Sequence, residues 1–287
     1  MTANTATELP CRTLYPIVLL HGVGYRDDML MLNSWGRIPK RLEAAGASVF
    51  QGGLDAWNSH QSSALALKPT IERILSQTGS AKVNIIAHSK GGLEARYLIS
   101  KLDMADKVAS LTTVCTPHRG SAVADLVAGD IPDTENLLSI NFFKRLAQRF
   151  GFAAMDILAR ITGDKSPQAG MAIRQLTRSY LAEFNRQVPD MAGVYYQSYG
   201  TLMRRAIDDP VFAATQVLLK RIEGDNDGMV STLSCQWGSF RGLVGASNPD
   251  RGLSHGDLVD YRGVLLTHFD IPAAYLDIVS DLKQQGF

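Results

Sequence analysis

Three residue types in one order along this chain are suited to acyl transfer: a serine on a tight turn, then an aspartate in a glycine loop, then a histidine among small residues. The serine is Ser89, in Ile85-Ile86-Ala87-His88-Ser89-Lys90-Gly91-Gly92. A nucleophilic serine needs a strained strand-to-helix turn that exposes its hydroxyl, with small residues two before and two after it so that strand and helix can approach. Ala87 and Gly91 meet that need, so the pattern is A-x-S-x-G where G-x-S-x-G is usual. Serine chemistry also requires a base, and an imidazole base requires an orienting carboxylate. Downstream, Asp225-Asn226-Asp227-Gly228-Met229-Val230 offers Asp227 in a loop, and Leu253-Ser254-His255-Gly256-Asp257 offers His255 shortly before the last helical stretch. The tetrahedral intermediate needs two backbone N–H donors. Lys90, directly after the serine, nominates one and Val23, in His21-Gly22-Val23, the other. Taken singly, each segment has a plain structural alternative: a turn serine, a surface histidine, glycines that close a turn. The ordered set favours chemistry. His60, His118 and His268 have no Asp-Gly loop placed upstream at a similar distance. His118 follows a strand end and is a candidate lining residue of the pocket.

The elements that must position these residues alternate. Tyr15 to Leu20 is a short apolar run ending in the glycine loop His21-Gly22-Val23-Gly24, a buried strand by pattern. Trp35, Ile38, Leu42 and Ala45 fall on one helical face before Gly46, and a second strand returns over Ala47 to Phe50. The stretch from Leu65 to Leu75 is helical in spacing. Lys82 to Ala87 is a strand, Leu93 to Leu102 a helix and Val108 to Val114 a strand. This alternation predicts an α/β fold with a parallel sheet covered on both faces, and ligands in that architecture bind beyond the carboxyl ends of the strands. From Asp133 to about Val188 the strand signal disappears, and short amphipathic pieces broken by Gly151 and Gly163 read either as ordinary helices or as a helical lid over the site. A strand over Val194 to Tyr199, a helix over Val211 to Lys220 and a final helix over Ile271 to Gln285 complete the pattern. No repeats or low-complexity segments interrupt it.

Composition narrows the function classes. With 29 Lys+Arg against 28 Asp+Glu, a formal charge of +1 and 20% charged residues, nothing electrostatic recruits nucleic acid. At 45% hydrophobic over 287 residues the chain can bury a large core. Its apolar runs, such as Ile17-Val18-Leu19-Leu20, are far short of the roughly 20 residues that span a bilayer. No secretion signal is expected from Met1 to Arg12, which has no basic region followed by an apolar stretch. Cys11, Cys115 and Cys235 show no C-x-x-C spacing. They argue against a disulfide scaffold or a zinc finger, with one disulfide left open and Cys115 expected as a small buried hydrophobe.

As a set, these segments resemble the bacterial true lipases of the α/β-hydrolase superfamily, the triacylglycerol lipases of bacilli, clostridia and pseudomonads. The resemblance is carried by Pro16-Ile17-Val18-Leu19-Leu20-His21-Gly22, by Asn84 to Gly92, by Thr113-Val114-Cys115-Thr116-Pro117-His118-Arg119-Gly120, by Asn226 to Val230, by Ser254 to Asp257 and by Phe269-Asp270-Ile271. It implies a single α/β-hydrolase domain over residues 1–287 with a helical lid at about 133–188. Nucleophile Ser89, acid Asp227, base His255 and oxyanion amides at Val23 and Lys90 follow from it, with an acyl-ester or lipid substrate met at a lipid–water or polymer surface. The clostridial branch adds polyesters. A carboxylesterase, a phospholipase and a non-catalytic lipid-binding protein on the same fold are the alternatives. No cofactor is expected, while calcium and zinc stay open. Many such lipases bind calcium near the carboxylate two residues after the base, here Asp257, but the further ligand positions fall at Tyr261 and Arg262. The zinc of thermophilic bacillus lipases would fall in Asp55 to Ser63, where His60 stands alone. The cysteine pair of pseudomonad lipases has no clear counterpart. Relatives are often secreted, and the compartment stays open.

Overall fold

The computed structural model describes residues 9–23, 35–54, 57–130, 168–261 and 268–287. A six-stranded sheet forms their centre: β1 (Ile17–Leu20), β2 (Val49–Gln51), β3 (Val83–His88), β4 (Val108–Val114), β5 (Tyr195–Gly200) and β6 (Ser239–Leu243). The order is β2-β1-β3-β4-β5-β6, and every neighbouring pair is parallel. β1, β3 and β4 are buried along their whole length, as expected of parallel strands covered on both faces.

Side chains leave a strand on alternate faces, so each strand feeds two cores. Ile17, Leu19 and Ile86 face one side, where Ile38 and Leu42 of α1 (Ile38–Ala44) meet Tyr275, Ile278 and Val279 of α8 (Ile271–Gln284). Val18, Leu20, Ile85 and Ala87 face the other, against Leu67, Ile71 and Ile74 of α2 (His60–Thr78) and Leu98 and Ile99 of α3 (Lys90–Lys101). The chain leaves β1 toward β2 and then crosses back to β3, β4 and β5. The direction of winding therefore reverses between β1 and β3, which opens a crevice beyond their carboxyl ends. The His21 loop and Ser89 both lie there.

The periodic segments form where the sequence places them, with α2 starting earlier than the apolar spacing suggests because Ser59 caps it and accepts from the Ser62 N–H. Two elements carry no sequence expectation. β6 is an edge strand, exposed over Ser239, Phe240 and Arg241, so no apolar run announces it. α4 (Ala122–Ala128) is a seven-residue helix capped by Ser121. Of the span 133–188 read as a lid, 133–167 lie outside the described residues. The rest holds α5 (Ala169–Arg174) and α6 (Arg178–Gln187), whose Leu181 and Phe184 pack on Leu93 of α3. The remaining described helix is α7 (Ala213–Ile222). Among the described residues, no helix is long and apolar enough to cross a membrane.

Candidate active site

Ser89 sits between β3 and α3 with φ 55° and ψ −130°, a strained backbone for a residue with a side chain. The turn is held by its neighbours: the Ser89 N–H donates to Val114 O at 2.9 Å and Thr116 Oγ1 donates to Ser89 O at 2.7 Å. The small residues of the motif are required for a measurable reason. A Cβ on Gly91 would stand 2.6 Å from His21 O, and one on Gly22 2.6 Å from the Ser89 Cβ. Lys90 opens α3, so its N–H has no carbonyl partner within the helix. Its side chain turns inward to a buried ion pair with Glu94, whose carboxyl burial pushes upward in pKa.

His255 and Asp227 arrive from distant loops. Ser89 Oγ lies 2.9 Å from His255 Nε2, and His255 Nδ1 lies 2.8 Å from Asp227 Oδ2. The tautomer with Nδ1 protonated satisfies both contacts: Nδ1–H donates to the carboxylate and Nε2 accepts from the serine. The other Asp227 oxygen accepts the Met229 and Val230 N–H groups at 2.9 and 2.7 Å, and the His255 N–H donates to Asp227 O at 2.8 Å. Sequence reasoning named His88 only as part of the turn. Its Nε2 donates to His255 O at 3.0 Å, and burial, with His255 beside it, holds its pKa well below the usual histidine value, so it stays neutral.

Ser89 and His255 open onto a cavity of about 440 Å³ shared with Val23 and walled by Val123 and Val127 of α4, Ile173 of α5, Leu176, Met229 and Val230. The wall is the part the sequence concealed, since α4 and α5 are too short to show a periodic stripe. His118, the candidate pocket residue, does not line this cavity; its neighbour Pro117 does. The His118 ring is fully buried, accepts from Arg96 Nη1 at 3.3 Å, donates from Nε2 to Thr113 Oγ1 at 3.0 Å and stacks on Trp237. These contacts hold it in the core, outside the lining of this cavity. The three cysteines are free and buried, which closes the disulfide left open.

A triacylglycerol lipase of Vibrio cholerae is 33% identical over 296 residues, covering 96% of this chain and 89% of its own. This chain belongs to the triacylglycerol lipase family. It is a carboxylic ester hydrolase of the α/β-hydrolase fold. Triacylglycerol lipase 2 of Saccharomyces cerevisiae is 28% identical over 91% of this chain and 76% of its own. A family model described as palmitoyl protein thioesterase matches residues 16–155. Among solved structures, the mature lipase BlEst2 of Bacillus licheniformis superposes with a TM-score of 0.65 at 17% identity, covering 92% of this chain and 91% of its own. The metagenomic carboxyl esterase MGS0156 superposes at 0.68 and 14% identity, covering 94% and 76%. At such identities the superpositions show the fold alone.

The metals open to a lipase of this family can be tested against the residues present. Asp257 is buried, but its Oδ2 already accepts Arg251 Nη2 at 2.6 Å and the Ser254 N–H at 2.8 Å, so that oxygen is paired with a cation of the chain's own and does not fit calcium. His60 is buried with Nε2 donating to Gln175 O at 3.2 Å, and it belongs to no group of three candidate ligands among the described residues. The His/Cys cluster found among those residues is His88, Cys115 and His255, and both ring nitrogens of His255 are engaged.

Proposed function

We propose that this chain hydrolyses esters of long acyl chains, triacylglycerols first, by acyl transfer through Ser89. The observation that carries the reading is the unbroken line from Asp227 through His255 to Ser89 Oγ, with contacts of 2.8 and 2.9 Å, at the floor of a 440 Å³ apolar cavity. His255 takes the serine proton as Oγ attacks the ester carbonyl, then returns it to the leaving alcohol. Asp227, fixed by two backbone N–H groups, keeps His255 in the tautomer that can accept that proton and stabilises the imidazolium. The Lys90 and Val23 amides are assigned to the oxyanion, with the positive end of α3 behind Lys90. Water then enters by the same route in reverse and frees the acid.

The apolar wall favours an acyl chain over a polar acid. At about 0.8 kcal/mol per buried methylene, a few extra carbons seated on Val127, Ile173 and Leu176 change binding tenfold or more. Action at a lipid–water or polymer surface belongs to the same proposal and is supported by the relatives named triacylglycerol lipases. Acyl thioesters are the second reading, favoured by the thioesterase family model over 16–155. The test is hydrolysis of p-nitrophenyl esters from acetate to palmitate, with palmitoyl thioesters alongside, by the wild type and by Ser89→Ala. The expected result is turnover that rises with chain length and disappears in Ser89→Ala. Turnover that survives the substitution, or ligand binding without turnover in the wild type, would remove the proposal.

A further inference from the structure

The loop that carries His255 is gripped by three buried carboxylates. Asp208 Oδ2 accepts the Gly252 N–H at 3.0 Å, with the Arg204 and Arg205 N–H groups each at 2.9 Å. Asp209 Oδ2 accepts Ser254 Oγ at 2.6 Å and the Tyr261 hydroxyl at 3.1 Å, while its Oδ1 accepts the Val211 N–H at 3.0 Å. Asp257 Oδ2 accepts the Ser254 N–H at 2.8 Å. Asp209 and Asp257 thus meet on one serine, directly before His255. The segment has no slack: a Cβ on Gly252 would lie 2.4 Å from Arg204 N and 2.5 Å from Leu202 O.

Carboxylates crowded together out of water repel one another and lose hydration, so the arrangement needs positive charge. A divalent cation is one way to supply it. Here Asp208 pairs with Arg205 Nη2 at 3.4 Å, and the charge beside Asp257 comes from Arg251, whose side chain is 9% exposed: Nη2 donates to Asp257 Oδ2 at 2.6 Å and Nε to Gly252 O at 2.9 Å. A planar guanidinium, always protonated and weakly hydrated, is suited to a buried carboxylate and a carbonyl at once.

We infer that Arg251 is a built-in counter-cation that does the work of a bound metal ion, a positioning residue that holds the His255 loop in register with Ser89 and Asp227. The inference rests on the reading of His255 as the base, and it makes the protein independent of divalent cations. Removing the guanidinium leaves the Asp257 carboxylate and the Gly252 carbonyl without it, beside Asp209 on the same serine, and these are hard oxygen ligands of the kind calcium takes.

The experiment compares wild type, Arg251→Ala and Arg251→Lys in chelator and in calcium chloride, reading kcat, KM and Tm. Wild-type values are expected to be the same in both. Arg251→Ala should lose on the order of 100-fold in kcat with KM little changed, as a displaced base does, and recover both kcat and Tm with calcium. Arg251→Lys, which keeps the charge, should retain most activity and ignore calcium. The Tm arm is repeated in a Ser89→Ala background, so that it is decided separately from the catalytic reading. Three results would overturn the inference: a wild type that chelator inactivates and calcium restores, a folded Arg251→Ala fully active in chelator, or one that calcium does not rescue. If Arg251→Ala does not fold, Arg251→Lys decides, and its inactivity would show that charge is not what the site requires.

Discussion

His255 and His118 are both buried in loops beyond the sheet, both with each ring nitrogen engaged, and they do different things. His255 spends one nitrogen on a fixed carboxylate and the other on a serine hydroxyl that faces a cavity. His118 spends both on Thr113 and Arg96, with the indole of Trp237 closing its face. Around it Arg96 is sandwiched, 3.6 Å from the Trp237 centroid, and donates to Asn185 Oδ1 at 2.8 Å and Val188 O at 2.9 Å. Burial and the Arg96 charge push the His118 pKa well below its ordinary value, so it stays neutral and accepts from the guanidinium. A buried histidine is reactive when one of its partners can meet substrate; when every partner is sealed in, it is a structural hydrogen-bonding group.

Exchanging each ring for an amide should separate the two. His255→Gln is expected to lower kcat on the order of 10⁶-fold while leaving the thermal midpoint near wild type, because on the proposed mechanism it removes the base of residues that act as a unit. His118→Gln should do the converse, leaving kcat near wild type and lowering stability by about 2 kcal/mol in denaturant unfolding. Equal kinetic losses in the two variants would dissolve the distinction.

A smaller effect tests the wall rather than the chemistry. Ile173→Trp fills cavity space opposite Ser89, and its kcat/KM for palmitate should fall about 10–100-fold relative to that for acetate. An unchanged acetate-to-palmitate ratio would place the acyl chain elsewhere.

The smallest effect at any one pH near neutrality concerns a third histidine. His60 is fully buried, its pKa pushed down to about 3 by burial and by the nearby Lys90 ammonium. The unfolded chain takes up that proton near the ordinary value of about 6.5 and the native state does not, so stability falls as pH drops from about 6.5 toward 3. The contribution is about 1.4 kcal/mol per pH unit for the one proton. Urea unfolding of His60→Gln across that range should show a slope shallower by one proton, and an identical slope would exclude His60 as its source.

Much of this was legible in the residues themselves. The strand-helix alternation, the turn at Ser89, and Asp227 and His255 as the partners to look for all appear as local patterns. What was not legible has a physical cause in each case. β6 is exposed at an edge and carries no apolar run. α4 and α5 are too short for periodicity. His118 follows a strand end just as a pocket residue would, and only the contacts of its ring with Thr113, Arg96 and Trp237 take it away from the cavity.

By itself the sequence determined which residues could react and which segments would form strands and helices, because turn geometry and periodicity depend on neighbours a few positions apart. Only the tertiary structure decided that Ser89 and His255, 166 positions apart, meet at 2.9 Å, that short helices wall the cavity beside them, and that Arg251 stands on Asp257. Distances between remote segments are set by how two core faces pack on one sheet, and no local pattern carries that information.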